Sequence, residues 1–234
     1  MKKILPVLIL ALFLTACQRP APGGSSSTVI DWVDFVKWDG VEYHRVNDRV
    51  LSSTDMLGDK VGEVNFKVDE NVTNPSYQTK NGDAAFLHKG TNLYQVKGNP
   101  SWIAVKDPNE VNDYRLYQAS GDEEKNDFKK IEETEIDRIE VYHGQQPPIK
   151  VTTHSDPGSI QKYINLLKKG EPDPGFTPDR TDENKDPEYY ELVFYSKENG
   201  AYKQSVRFDG KTWFWHQGET ETLPKEIEPL FSKA

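Results

Sequence analysis

Residues 189–217 read YYELVFYSKENGAYKQSVRFDGKTWFWHQ, and this stretch decides the fold. Asn199-Gly200 and Asp209-Gly210 are strong two-residue hairpin signals, because both central positions of such a turn need positive φ. Between them Tyr202, Gln204, Val206 and Phe208 alternate with Lys203, Ser205 and Arg207. A period of two is the mark of a strand with two unlike faces. Residues 189–198, 201–208 and 211–217 are therefore expected to form an antiparallel meander.

Upstream, Ile136–His143 and Ile149–Thr153 read as two more strands, separated by Gly144-Gln145-Gln146-Pro147-Pro148. A helix follows with a full set of signals. Ser155 or Asp156 can cap it, Pro157 suits its first turn, and Ile160, Tyr163, Ile164 and Leu167 form one apolar face. Lys168 and Lys169 favour its C-terminal end, and Gly170 can close it. Residues 171–188 are a Pro-containing acidic loop, and Leu223–Phe231 is expected to be a short closing helix limited by Pro229. The order β-β-α-β-β-β-α makes residues 134–234 an α+β unit, an antiparallel sheet carrying one long and one short helix.

The first half reads as all β. Trp32–Trp38 and Val41–Val46 flank the turn Asp39-Gly40, and Val64, Phe66 and Val68 alternate with polar residues. Further short strands are expected at Ala84–Leu87, Leu93–Val96, Trp102–Lys106 and Tyr114–Tyr117, with residues 48–59 a loop or one short helix. Closely spaced short strands predict a small antiparallel barrel or sandwich over residues 29–120, joined by a charged linker at 121–133. The whole chain is thus α+β and β-rich.

The first residues have a different character. Lys2 and Lys3 precede an apolar run from Ile4 to Leu14, too short to span a bilayer but the right length for a signal h-region. Leu14-Thr15-Ala16-Cys17 follows, and it resembles the lipobox of bacterial lipoproteins, with Leu14, Thr15 and Ala16 matching the signal-peptidase recognition positions. The resemblance implies removal of residues 1–16 and a lipid (diacylglycerol, palmitate-type acyl chains) on Cys17, holding the chain on the extracytoplasmic face of the cell membrane. Two acyl chains give stable anchoring where one does not. Residues 18–28, rich in Pro, Gly and Ser, read as a flexible tether. The remainder loosely resembles uncharacterised lipoproteins of Gram-positive (Bacillus-like) bacteria. That likeness rests on Tyr190-Glu191-Leu192-Val193-Phe194-Tyr195, Val206-Arg207-Phe208-Asp209-Gly210 and Trp213-Phe214-Trp215-His216, and it implies no activity.

Charge narrows the partners. The net charge is −9, and it becomes −11 once Lys2 and Lys3 leave with a segment that holds no acidic residue. An acidic body argues against nucleic acid and against lying flat on anionic lipid, and favours a basic partner. The single cysteine excludes an internal disulfide, so the fold must rest on its core. Five Trp, eleven Tyr and ten Phe supply that core and argue against disorder.

Catalytic patterns are missing: there is no Gly-x-Ser-x-Gly, His-Glu-x-x-His, phosphate-binding loop or Cys-x-x-Cys. No cofactor is expected. Asp179, Asp182 and Asp186 of the acidic loop are the best Ca²⁺ candidates, although they lack EF-hand spacing, and a tight site is not expected. The best binding candidate is Trp213, Trp215 and His216, since a strand there puts both Trp on one face and His216 with Phe214 on the other. The reading that follows is a non-catalytic, lipid-anchored envelope protein that binds or modulates an extracellular protein partner. Its alternatives are an enzyme acting on cell-wall polymer or peptide, and a structural spacer or immunity-type protein.

Overall fold

The computed structural model describes residues 30–121, 128–144, 146–179, 186–196 and 200–232. Two large sheets account for most of them. In chain order the strands of the first half are β1 (Phe35–Trp38), β2 (Val41–Val46), β3 (Arg49–Leu51), β4 (Leu57–Glu63), β5 (Phe66–Lys67), β6 (Asp83–Ala84), β7 (Asn92–Val96), β8 (Asn99–Lys106) and β9 (Tyr114–Ala119). The second half contains β10 (Ile136–His143), β11 (Ile149–His154), helix α1 (Pro157–Leu167), β12 (Glu171–Pro172), β13 (Glu188–Ser196), β14 (Gly200–Phe208), β15 (Trp213–Gln217) and β16 (Glu219–Leu223), and ends in a 3-10 helix at Lys225–Phe231. No described helix is long and apolar enough to cross a membrane.

The first sheet runs β4-β7-β8-β9-β2-β1-β6-β5. All its pairs are antiparallel except β5 with β6. Its two outermost strands, β4 and β5, are separated in sequence only by Val64 and Asn65. Two residues span only about 7 Å, so the sheet must curl until its edges meet. The result is a curled half-barrel filled by Val36, Val64, Leu93, Ile103, Val105 and Tyr117.

The second sheet runs β11-β10-β13-β14-β15-β16-β12 and contains the expected meander. Asp156 caps α1 by accepting from the Ser159 N–H at 2.8 Å, and Pro157 occupies the first turn. The apolar face of α1 packs on Ile139, Val141, Leu192, Phe194, Val206, Trp213 and Trp215. The last helix is 3-10 rather than α, as Pro229 inside it cannot donate to an α ladder. Phe128 and Ile131, within the stretch expected to be a linker, are buried in this core.

Residues 48–59 contain more than the loop or short helix expected, although Thr54–Met56 is a short 3-10 helix. They form β3, a 3-10 turn and the start of β4. β3 leaves the first half and pairs with the start of β14, Leu51 opposite Gly200 and Arg49 opposite Tyr202. β15 pairs only with the end of β14, at Val206–Phe208, so β3 occupies the position beside the strand that β15 leaves open. The centre of the second sheet is thereby covered on both faces. Leu192 and Phe194 face α1, while Val193 and Tyr195 pack with Val50, Val111, Tyr142 and Ala201. This explains why residues 192–195 read as a continuous apolar run: both faces of the strand are buried.

Glu140 lies in that second layer, buried beside the Tyr142 hydroxyl that donates to it, with Lys150 Nζ at 2.9 Å. Burial pushes its carboxyl up, but hydrogen bonds from Tyr142, Lys150 and Tyr195 outweigh this and hold it below the ordinary value of 4.5. The unfolded chain therefore holds this proton more tightly than the folded one. The stabilisation is present above pH 4.5 and is lost as pH falls through the depressed folded value. Asp34 runs the other way, since burial raises it against the Tyr117 hydroxyl and the Arg115 and Arg45 guanidinium groups. The readout is accordingly a difference. Urea midpoints measured from pH 6 down to pH 3 should fall more steeply for the natural chain than for Glu140→Gln.

Candidate functional site

Trp38 ends β1 and enters the turn Trp38-Asp39-Gly40-Val41, in which Asp39 has φ 46° and Gly40 φ 77°. Both central residues are left-handed, the geometry that Asp-Gly supports. The Gly40 N–H donates to Asn81 Oδ1 at 2.8 Å and ties the turn to the loop before β6. Val36 and Tyr43 are paired across β1 and β2, and Trp38 lies on the same inward face two residues on. Trp38 and Tyr43 meet Gln95 of β7 and its partner Ile103 of β8, next to the β7–β8 register shift. Together they line a cleft of about 530 Å³, a volume typical of ligand sites.

The lining has a definite chemistry. Two aromatic rings (Trp38 and Tyr43) stand with Asp39, Asn81 and Gln95, and no Lys, Arg or His is in the lining; Trp102 borders the cleft, but its ring is buried on the opposite face of β8 with Leu51, Val96 and Leu116. Among the described residues no side-chain partner engages the Asp39 carboxylate, the Tyr43 hydroxyl or the Gln95 amide. Burial and then the Asp39 charge push the Tyr43 phenol up, so it stays a neutral donor. β4 closes the cleft, and here Gly62 is required. A Cβ at Gly62 would fall 2.2 Å from the Trp38 ring. Gly62→Ala should therefore displace the indole at a cost of about 1–3 kcal/mol. A shifted Trp emission maximum with a lowered urea midpoint is the expected observation.

A second, more polar cleft of about 290 Å³ lies between the halves and is lined by Arg45, Glu110, Tyr189, Glu191, Lys203 and Ser205 among others. Glu110 accepts from Arg45 Nη2 at 2.7 Å and from Lys203 Nζ at 3.1 Å, and Lys203 lies 3.5 Å from Glu191. Asn112 Nδ2 donates to the Leu51 carbonyl at 2.7 Å and to the Tyr195 hydroxyl at 3.2 Å. These groups satisfy one another across the seam between the sheets, so the chemistry of this cleft is that of a joint.

The residues singled out in the sequence lie elsewhere. Trp213 is 5% and Trp215 1% exposed, and Phe214 on the opposite face is buried as well. Trp213 is stacked between Phe208 and Phe231, with centroids 4.4 and 3.9 Å away. Trp215 packs edge-on against Phe128, and its Nε1 donates to buried Glu221 at 3.1 Å. Neither ring offers a face to a partner, because α1 and the last 3-10 helix cover the side expected to be open; His216 alone is exposed. Of the calcium candidates, Asp179 donates its N–H to Asp209 Oδ2 at 2.7 Å, Asp186 is exposed, and Asp182 lies outside the described residues. No three His, Cys, Asp or Glu among the described residues converge as metal ligands. Leu14, Thr15, Ala16 and Cys17 also lie outside the described residues.

Sequence reading missed the cleft because Trp38 and Gln95 are 57 positions apart and come to line it together only through the curl of the sheet. One local signal existed: a Trp immediately before an Asp-Gly turn sits at a strand end, where a ring is only half covered. The chain matches no family model, no curated protein and no solved structure.

Proposed function

We propose that this chain is a lipid-anchored, non-catalytic envelope protein that binds a partner through the aromatic cleft of its half-barrel. The observation that carries this reading is the pair of rings, Trp38 and Tyr43, with unengaged polar groups around one opening of about 530 Å³. Anchoring is supported by the basic, apolar and Leu14–Cys17 segments in correct succession. On this reading the tether lets the body reorient while the cleft stays close to the membrane surface.

Two experiments test it. Cells producing the chain should incorporate labelled palmitate into it, and Cys17→Ser should abolish the label. A photo-crosslinking residue placed at Val61, which is 39% exposed on the cleft wall, should give a discrete adduct in intact envelopes. That adduct should vanish in a Trp38→Ala background and should not arise from the same probe at Ile149, exposed on β11. Absence of any Val61-specific adduct would remove the binding reading and promote the search for an enzyme of wall polymers.

A further inference from the structure

We propose that the occupant of this cleft is a cationic side chain, Lys or Arg, presented by a basic polypeptide partner. The inference rests on the binding reading above and names the chemistry of its ligand. Three observations on the same few residues support it.

The first is the rings. An ammonium or guanidinium group is attracted to the negative face of Trp and Tyr, most strongly when partly withdrawn from water. This chain already uses the interaction internally, with Arg138 at 3.6 Å from the Tyr195 ring centroid and Arg49 at 3.9 Å from that of Tyr202. Arg49 also stands 5.9 Å from the Trp102 ring centroid, whereas the Trp38 and Tyr43 rings line the cleft with no Lys, Arg or His in its lining.

The second is Asp39. Some acidic groups of the half-barrel are paired, Asp34 with Arg115 at 3.4 Å and Glu110 with Arg45. Asp39 stands at the rim of the cleft without an ion-pair partner among the described residues. A cation inserted between the rings would meet it there, with Asn81 and Gln95 as neutral acceptors alongside.

The third is the field of the whole molecule. A net charge of −9, or −11 after the expected cleavage, draws basic surfaces toward the body and repels anionic ligands such as phosphate-bearing polymers. The absence of any basic residue from the lining gives such an anion nothing to hold.

The experiment uses residues 18–234 and measures Trp fluorescence and calorimetry against hexalysine, hexa-arginine and hexaglutamine peptides of equal length. Hexalysine and hexa-arginine should bind saturably and hexaglutamine should not. Binding should weaken about fivefold in Asp39→Asn and about tenfold in Trp38→Ala. Asp39→Asn is the decisive variant, because Asn accepts the φ of 46° at this turn and the fold is kept. Asp137→Asn, an exposed carboxylate outside the cleft, is the control for diffuse charge and should bind as the natural chain does. Equal weakening by Asp39→Asn and Asp137→Asn would overturn the proposal, since attraction would then be to the acidic surface at large. So would saturable binding of tetramethylammonium with none of either basic peptide, which would point to a small quaternary ligand. If the Val61 adduct forms in envelopes while neither basic peptide binds, the cleft remains a binding site and the cationic occupant is excluded.

Discussion

Trp215→Ala will lower the stability of the chain by about 3–5 kcal/mol, the largest loss expected from any single truncation here. The indole is 1% exposed and lies in the core between the second sheet and α1, with the Phe128 ring 5.2 Å away. Removing it opens a cavity that the sheet and helix can only partly close. It also takes a donor from Glu221, which is 4% exposed and, among the described residues, keeps Lys129 Nζ at 2.6 Å. The two effects separate in a second variant. Trp215→Phe keeps most of the volume and loses only the indole N–H, for which about 1–3 kcal/mol is expected. Urea unfolding followed by far-ultraviolet circular dichroism gives both values. A loss in Trp215→Ala no larger than that in Trp215→Phe would mean the ring's packing contributes little.

Glu110→Gln comes second, at about 3 kcal/mol. Its side chain is 12% exposed and accepts from two cations of different halves, Arg45 and Lys203. Without the charge, Arg45 keeps Asp34 at 3.9 Å and Lys203, itself 10% exposed, keeps Glu191 at 3.5 Å. A buried cation that loses its main counter-charge is costly, whereas removing both members of a pair is cheaper. Glu110→Gln with Lys203→Met should therefore cost less than the sum of the single changes. A strictly additive double variant would show that the two groups do not act together at the seam.

The second half was largely legible in its residues, because its signals are local. The Asp209-Gly210 turn, period-two alternation and the Asp156-Pro157 start of α1 all act within a few positions, while Asn199 of the other expected turn lies outside the described residues. β4 was not legible. Leu57-Gly58-Asp59-Lys60-Val61-Gly62-Glu63 has two glycines and no apolar alternation, and it becomes a strand through β7 beside it. β16 is similar, since Glu219-Thr220-Glu221-Thr222-Leu223 is polar and is held by pairing with β15. β3 is three residues long, too short to carry a period. Trp213 and Trp215 illustrate the same limit at the level of function. Alternation correctly put them on one face, but whether that face meets solvent or a helix depends on elements at residues 157–167 and 225–231. The aromatic cleft depends on the long-range closure of a sheet and has no contiguous signature.

The excursion of β3 into the second sheet bears on how the chain comes to be folded. Leu51 leaves the ribosome 149 positions ahead of Gly200, its partner in the sheet. Throughout that interval Val50 and Leu51, both buried in the finished protein, lack the strand they pair with and have only side chains such as Val96, Val111 and Leu116 of the first half to pack on. The half-barrel can assemble early around its own hairpins, yet the step that joins the sheets must wait for nearly the whole polypeptide. Contacts so distant in sequence slow folding and leave apolar strands exposed meanwhile.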